Sequence, residues 1–347
     1  MTFPRALPAP PYLDPREAPS LRWGILGPGL IAADFVAALL AHTNQEVVAV
    51  GSRSLDRARS FAGRFGLDRA HASYADLVMD PEVDAIYVAT PMSEHYDQTL
   101  LCIEAGKATL VEKSFMRTAT EAREVQRKAT DAGVFVMEAM KTRYLPQLQI
   151  IDQLICDGVL GDIDSVVAQY CVVTPYQPLH RLFNPLLGGG VVLDIGVYPL
   201  SLAAMLLGEF SSVQASGTLA PSGVEDSVSA VLTTSSGSRA MLNASWRGEA
   251  AIRADINGSL NRIELGEPFH NPAPLRLVSP DGRQCLEWND QRFPGREGMV
   301  FQAAAMARYL DAGLTESPLQ SLTDSVMVMT VLDELRRQVG AQFDDEL

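Results

Sequence analysis

The chain holds 347 residues, a length that favours two domains over one. Its 47% hydrophobic content is ample for two cores, and a formal net charge of −14 argues against nucleic-acid binding through bulk electrostatics. Four cysteines without C-x-x-C pairing and five scattered histidines argue against a disulfide framework and a metal site. No apolar run reads as a membrane span, so a cytoplasmic enzyme is expected.

Residues 1–20, with Pro4, Pro8, Pro10, Pro11, Pro15 and Pro19, read as an extended arm. An apolar run, Trp23–Leu26, then breaks into Gly27-Pro28-Gly29-Leu30-Ile31-Ala32. A helix pattern (Ile31, Phe35, Val36, Leu39, Leu40) and a second apolar run, Val47–Val50, follow. The order strand, glycine turn, helix, strand with G-x-G-x-x-A spacing is the small-residue form of the dinucleotide fingerprint. Gly27 permits the tight turn, Gly29 lets backbone approach a pyrophosphate, and Ala32 lets the helix pack closely. The N–H groups at Leu30 and Ile31 face the anion.

The second strand ends in Gly51-Ser52-Arg53-Ser54, with no carboxylate before Asp56. An acidic residue there would bind the adenosine ribose of NAD(H); a guanidinium with flanking hydroxyls suits a 2′-phosphate instead. Ser52, Arg53 and Arg57 are therefore assigned to the cofactor, with NADP(H) preferred and NAD(H) possible. Arg53 read alone is equally a solvated loop arginine, and Ser54 caps the helix Leu55–Phe65.

Strand and helix patterns keep alternating through Ala85–Ala89, His95–Ala105, Thr109–Val111, Thr118–Ala132 and Val134–Met137. Such units imply a doubly wound parallel sheet over residues 21–140, with ligands outside the carboxyl ends of the strands. Thr90-Pro91 and Glu112-Lys113 lie at such ends. From residue 141 to 347 the pattern changes to an α+β domain. Helix Pro146–Cys156 and strand Ile163–Val173 lead through Gly188-Gly189-Gly190 to a helix from Asp194 to Leu207. Consecutive strands follow at 212–218, 227–234, 238–246, 251–256, 262–265 and 275–278, then helices at 299–312 and 322–339. Strands joined by turns without helices make a large, mostly antiparallel open sheet. Its run Val228-x-Ala230-Val231-Leu232 is too apolar for water, which suggests a homodimer, or a higher homo-oligomer, packed sheet to sheet.

Gly27-x-Gly29-x-x-Ala32, Ala89-Thr90-Pro91 with His95, Glu112-Lys113 and Gly188-Gly189-Gly190-x-x-x-Asp194-x-Gly196-x-Tyr198 occur in order. Together they resemble the Gfo/Idh/MocA oxidoreductase family. Tyr198, the stretch from Glu138 to Pro146 and Glu316-Ser317-Pro318 look like its dimeric dihydrodiol dehydrogenases and NADP-dependent aldose dehydrogenases. The resemblance implies a cofactor set that includes Thr90, Pro91, His95, Glu112 and Lys113, and a catalytic set of Lys113, Asp194 and Tyr198. Arg143, Tyr170 and Arg181 join Asp194 and Tyr198 at the substrate. A phenol is a poor base near neutral pH, and an ammonium beside it strengthens its acidity. Tyr198 thus becomes the proton donor or acceptor, Lys113 its electrostatic partner and Asp194 an acceptor for a second hydroxyl. Singly, Lys113 reads as a surface lysine paired with Glu112, Asp194 as a helix cap and Tyr198 as core.

Three positions depart from the family pattern. Ser114 stands for the proline of Glu-Lys-Pro and Met92 for an asparagine. Lys141 replaces a tryptophan, removing an apolar wall and adding a charge. The expected substrate is a small polyol, sugar or diol, and the expected reaction is hydride transfer at a C–OH/C=O carbon. The alternative is a non-catalytic, nucleotide-bound regulator of the same fold.

Overall fold

The computed structural model describes residues 3–11 and 14–341. Met1, Thr2, Tyr12 and Leu13 of the proline-rich arm and residues 342–347 lie outside the described residues. The chain divides into two compact units. One comprises Asp14–Tyr144 with Gly295–Met329; the other comprises Leu145–Pro294 with the chain from Thr330 and the start of the arm.

The first unit contains β1 (Arg22–Leu26), α1 (Leu30–His42), β2 (Glu46–Gly51), α2 (Leu55–Phe65), β3 (Arg69–His71), α3 (Tyr74–Val78), β4 (Ala85–Val88), α4 (His95–Glu104), β5 (Ala108–Val111), α5 (Ala119–Ala132) and β6 (Val136–Glu138). The strands form a six-stranded parallel sheet in the order β3-β2-β1-β4-β5-β6, the doubly wound order of dinucleotide-binding folds. Burial on both faces requires unbroken apolar strands, and Ala85–Val88 is buried at every residue. Trp23, Phe35 and Tyr87 fill the centre, with the Phe35 and Tyr87 rings stacked 4.0 Å apart. The indole Nε1 of Trp23 donates to Gln45 Oε1 at 2.9 Å, so the buried polar atom is satisfied. The short elements β3 and α3 escape the sequence reading because Arg69-Ala70-His71 carries no apolar run. They are held instead by Arg69 and His71 on the buried Asp80 and by the Ser73 cap.

The second unit contains α6 (Pro146–Cys156), β7 (Ile163–Cys171), a π-helical turn at Val192–Gly196, α7 (Val197–Leu207), β8 (Ser212–Leu219), β9 (Glu225–Thr233), β10 (Arg239–Ser245), β11 (Ala254–Gly258), β12 (Arg262–Leu265), β13 (Leu275–Val278) and β14 (Cys285–Trp288). They build an eight-stranded sheet in the order β14-β13-β12-β11-β7-β10-β9-β8. β7 and β10 run parallel, and the other neighbours pair antiparallel. β14, with an exposed cysteine at its start, is a further strand that the sequence pattern does not reveal.

Strand alternation corrects the reading of the run from Val228 to Leu232. Val228, Ala230 and Leu232 are buried with Ala240, Leu242, Val166 and Ala168, and α7 packs on β7 and β10. Of the run's apolar residues, Val231 turns to the other face, where register aligns it with Met241 and Val167, each 36–42% exposed. Cys102 and Cys171 are buried, whereas Cys156 and Cys285 are exposed, and all four are free thiols. The segment Pro185–Leu207 is long and apolar enough to cross a membrane, contrary to the reading of the sequence. Its apolar window is 72% buried inside the protein, as a core helix is.

The chain closes with α8 (Met299–Asp311), which belongs to the first unit, and α9 (Leu322–Val339), which crosses the boundary at Thr330. Ala18 packs against Ala304 and Ala307 of α8, and Pro15–Glu17 forms a 3₁₀ turn, so this end of the arm is docked.

Candidate active site

Register places the first unit's candidate residues on one line. Gly51, Leu26, Val88, Val111 and Glu138 are successive partners across the sheet and mark the carboxyl ends of five strands. Gly27, Ser52, Ala89, Glu112 and Ala139 each follow directly. Gly27 has φ +97°, and a Cβ there would lie 2.6 Å from Thr90 Cγ2, so the turn admits only glycine. Its N–H donates to Gly51 O at 3.1 Å, and Gly29 caps α1. Leu30 opens that helix 84% exposed, and the first N–H groups of a helix have no partner within it.

At the end of β2, Ser52 is buried and its Oγ accepts from Ser54 N at 3.2 Å, closing the loop. Ser54 Oγ accepts from Arg57 N as the cap of α2. Arg53 and Arg57 are exposed. Burial pushes the neighbouring Tyr74 phenol up, and the positive charges of Arg53 and Arg57 pull it down. A glycine turn, a helix N-terminus and a basic loop together fit a dinucleotide.

The ends of β4 and β5 are tied by His95. This buried ring sets Nδ1 3.1 Å from Ser114 O and 3.2 Å from Phe115 O, and Nε2 3.1 Å from Thr90 O. Burial drives its pKa down against those three carbonyls. A neutral ring has one N–H to donate, so His95 lies against both loops and hydrogen-bonds a carbonyl of one of them. Thr90 Oγ1 donates to Gln98, and Pro91 leads into α4. Glu112 is buried and accepts from the Tyr87 hydroxyl; burial raises its carboxyl, opposed by Tyr87 and by the Lys113 and Lys141 ammoniums. The Lys113–Ser114 peptide is cis. Lys141 is only 8% exposed, and burial brings it down to about 8, with Glu112 opposing and Arg296 and Lys113 adding repulsion.

Arg143 belongs to a buried network in the same unit. Its Nη1 donates to Leu319 O, and burial lowers it against Asp324 and Glu138. Glu138 accepts from Gln320 Nε2 at 2.6 Å and Ser325 Oγ at 2.8 Å. Tyr144 donates to Ser317, which gives Glu316-Ser317-Pro318 a packing role.

The second unit assembles Tyr170, Arg181, Asp194 and Tyr198. Asp194 lies in the π turn and Tyr198 in the first turn of α7; π turns recur at functional sites. Arg181 Nη1 is 3.4 Å from Asp194 Oδ1, and the Tyr170 and Tyr198 rings are 5.8 Å apart. The glycine run has a packing cause that the sequence hides. A Cβ on Gly189 would meet Leu182 O at 2.7 Å, and one on Gly190, at φ +126°, would meet Glu225 Oε1 at 2.3 Å. Glu225 is buried, accepts from Val192 N at 3.1 Å, and so fixes the start of the π turn. Two residues here have no sequence motif, Glu225 and His270; the second stacks on Tyr170 and lies tilted against Tyr198.

A family profile described as "Oxidoreductase family, NAD-binding Rossmann fold" matches residues 21–140. The GFO/IDH/MocA C-terminal domain matches residues 148–264. Over 338 residues the chain is 32% identical to the trans-1,2-dihydrobenzene-1,2-diol dehydrogenase of Bos taurus, covering 94% of this chain and 99% of that one. The chain belongs to the Gfo/Idh/MocA family. The enzyme of the same name from Xenopus laevis is 32% identical over 328 residues, covering 93% of this chain and 99% of that one. Among solved structures, a 3-ketoreductase from Actinomadura kijaniata in complex with NADP and TDP-benzene has 26% identity and a TM-score of 0.79. The match covers 92% of this chain and 98% of that one. A levoglucosan dehydrogenase in complex with NADH and levoglucosan shares the fold, with TM-score 0.83, 21% identity and coverage of 92% and 97%. This Gfo/Idh/MocA protein is thus an NAD(P)-dependent dehydrogenase or reductase, and the first unit carries its nucleotide-binding fold.

Proposed function

We propose that the protein moves hydride between NADP(H) and the C–OH/C=O carbon of a sugar, sugar derivative or vicinal diol. The observation that carries this reading is the π-to-α junction that holds Asp194 and Tyr198 together, with Arg181 on Asp194. Tyr198 gives a proton to the substrate oxygen in reduction and takes it in oxidation. Lys113, directly after the register line at β5, stabilises the charged phenol and holds the reacting oxygen. Asp194 accepts from a second hydroxyl, its carboxylate oriented by Arg181, and Tyr170 lies beside that pocket. Arg143 and His95, both buried, act by holding the fold around their loops. When bound, the nicotinamide supplies the hydride acceptor or donor. Arg53, backed by Tyr74, reads the 2′-phosphate, and the buried Lys141 ammonium favours a polyhydroxylated or anionic substrate over an apolar one. The free thiols suit a reducing, cytoplasmic setting.

Turnover of NADP⁺ and NADPH against aldoses, ketoses, inositols and diols tests the reaction. Activity with at least one of them is expected; tight NADPH binding without any turnover would favour the regulator instead. The row Val231–Met241–Val167 supports a homodimer through the open sheet face. Light scattering should give twice the 37.6 kDa chain mass, and Met241→Glu should return the single mass.

A further inference from the structure

His270 lies outside every motif that marks the site, yet three rings meet at it. Its imidazole is 4.5 Å from the Tyr170 ring at an interplanar angle of 22°, and 4.8 Å from the Tyr198 ring at 40°. Tyr170 and Tyr198 are half-buried, whereas His270 is 8% exposed. The loop that carries it is clamped on both sides. Phe269 N donates to Ile252 O at 3.0 Å, and the Phe269 ring is buried. Asn271 N donates to Pro268 O at 2.9 Å, and Asn271 O accepts from the buried Gln147 Nε2 at 2.7 Å. The imidazole is therefore a fixed wall against which both phenol rings rest.

We propose that His270 is a positioning residue for Tyr198, setting the plane of the phenol by tilted ring-to-ring packing and so the direction in which its hydroxyl meets substrate. Tyr198 sits on the first turn of α7, where the backbone fixes its Cβ but leaves its ring a choice of rotamers. Packing against a rigid aromatic neighbour removes that choice. The effect is large because a displacement of about 1 Å at a reacting group costs on the order of 10²-fold in rate. Ring packing supplies this with either nitrogen protonated, so the role belongs to the ring.

The inference rests on Tyr198 as the acid–base group, and a double-mutant cycle separates the two ideas. His270→Ala should lower kcat by about 10–100-fold with NADPH affinity unchanged, and His270→Phe, which keeps a ring, should recover most of it. In the Tyr198→Phe background His270→Ala should cost nothing further, since the group it orients is gone. An equal loss in both backgrounds, or a His270→Phe variant as slow as His270→Ala, would overturn the inference. Full turnover by Tyr198→Phe alone would instead overturn the acid–base reading. Should His270→Ala not fold, His270→Leu enters the same cycle with the same expected outcomes.

Discussion

In the first unit the candidate groups are carried by backbone. The glycine turn, the open end of α1 and the loops after β2, β4 and β5 follow one register line across a parallel sheet. In the second unit they are carried by side chains from distant places: Tyr170 on β7, Arg181 in a loop, Asp194 and Tyr198 on one helical segment, Glu225 on β9 and His270 between β12 and β13. A site made by backbone depends on chain geometry that a short motif must encode. A site made by side chains depends on packing, which no local spacing records. The two units should therefore respond differently to single substitutions.

The largest response belongs to the second unit. Tyr198→Phe keeps the ring and its packing against His270 and removes only the hydroxyl. Turnover should fall by roughly 10²–10⁴ while cofactor affinity stays at the wild-type value, measured by steady-state kinetics and by NADPH titration. Lys113→Met should slow turnover too, and should move the rising limb of the oxidation-direction pH profile to higher pH. Normal activity of Tyr198→Phe would leave the side-chain site without its central group.

Each unit also buries one carboxyl whose pH dependence can be separated from the other. Burial pushes Glu138 in the first unit and Glu225 in the second up to about 7. Both keep a proton in the folded state where the unfolded chain, near its ordinary value of about 4.3, has lost it. Their contribution to stability is thus fully present below about pH 4.3 and is lost as pH rises through about 7. The loss is on the order of 3 kcal/mol apiece. Lys141, lowered to about 8, acts with the opposite slope and above this window. Urea midpoints for Glu138→Gln and Glu225→Gln between pH 5 and 7.5 should each decline less steeply than wild type. Glu225→Gln keeps the acceptor for Val192 N, so a slope unchanged from wild type would mean that the carboxyl is ionised in the folded protein.

Legibility followed the same division. The six parallel strands were visible except β3, and G-x-G-x-x-A was visible because Gly27 must adopt φ +97° beside Thr90. The triple glycine was visible too, but its reason was not. Gly189 and Gly190 abut Leu182 and Glu225. Arg143 looked like a substrate contact because sequence gives charge without depth, and its guanidinium is buried beside Glu138. His270 could not be seen at all. Nothing in Glu267-Pro268-Phe269-His270 says that two tyrosines from β7 and α7 will rest against it.

The smallest effect tests the backbone-built site where it does use side chains. Arg53→Ala should weaken NADP(H) by about 1.5–3 kcal/mol, the scale of a hydrogen bond to a charged group, and leave NAD(H) almost untouched. Tyr74→Phe removes only the phenol hydroxyl that lies within electrostatic reach of the Arg53 guanidinium. The charge remains but its direction is freed, so the loss should be smaller, about 0.5–1.5 kcal/mol, with the same selectivity for the phosphorylated cofactor. Titrating both cofactors with both variants by calorimetry separates direction from charge. Equal losses for NADP(H) and NAD(H) would mean that Arg53 shapes the loop after β2 without touching the 2′-phosphate. In that case the cofactor preference would rest with Ser52, Arg57 and the open end of α1 instead.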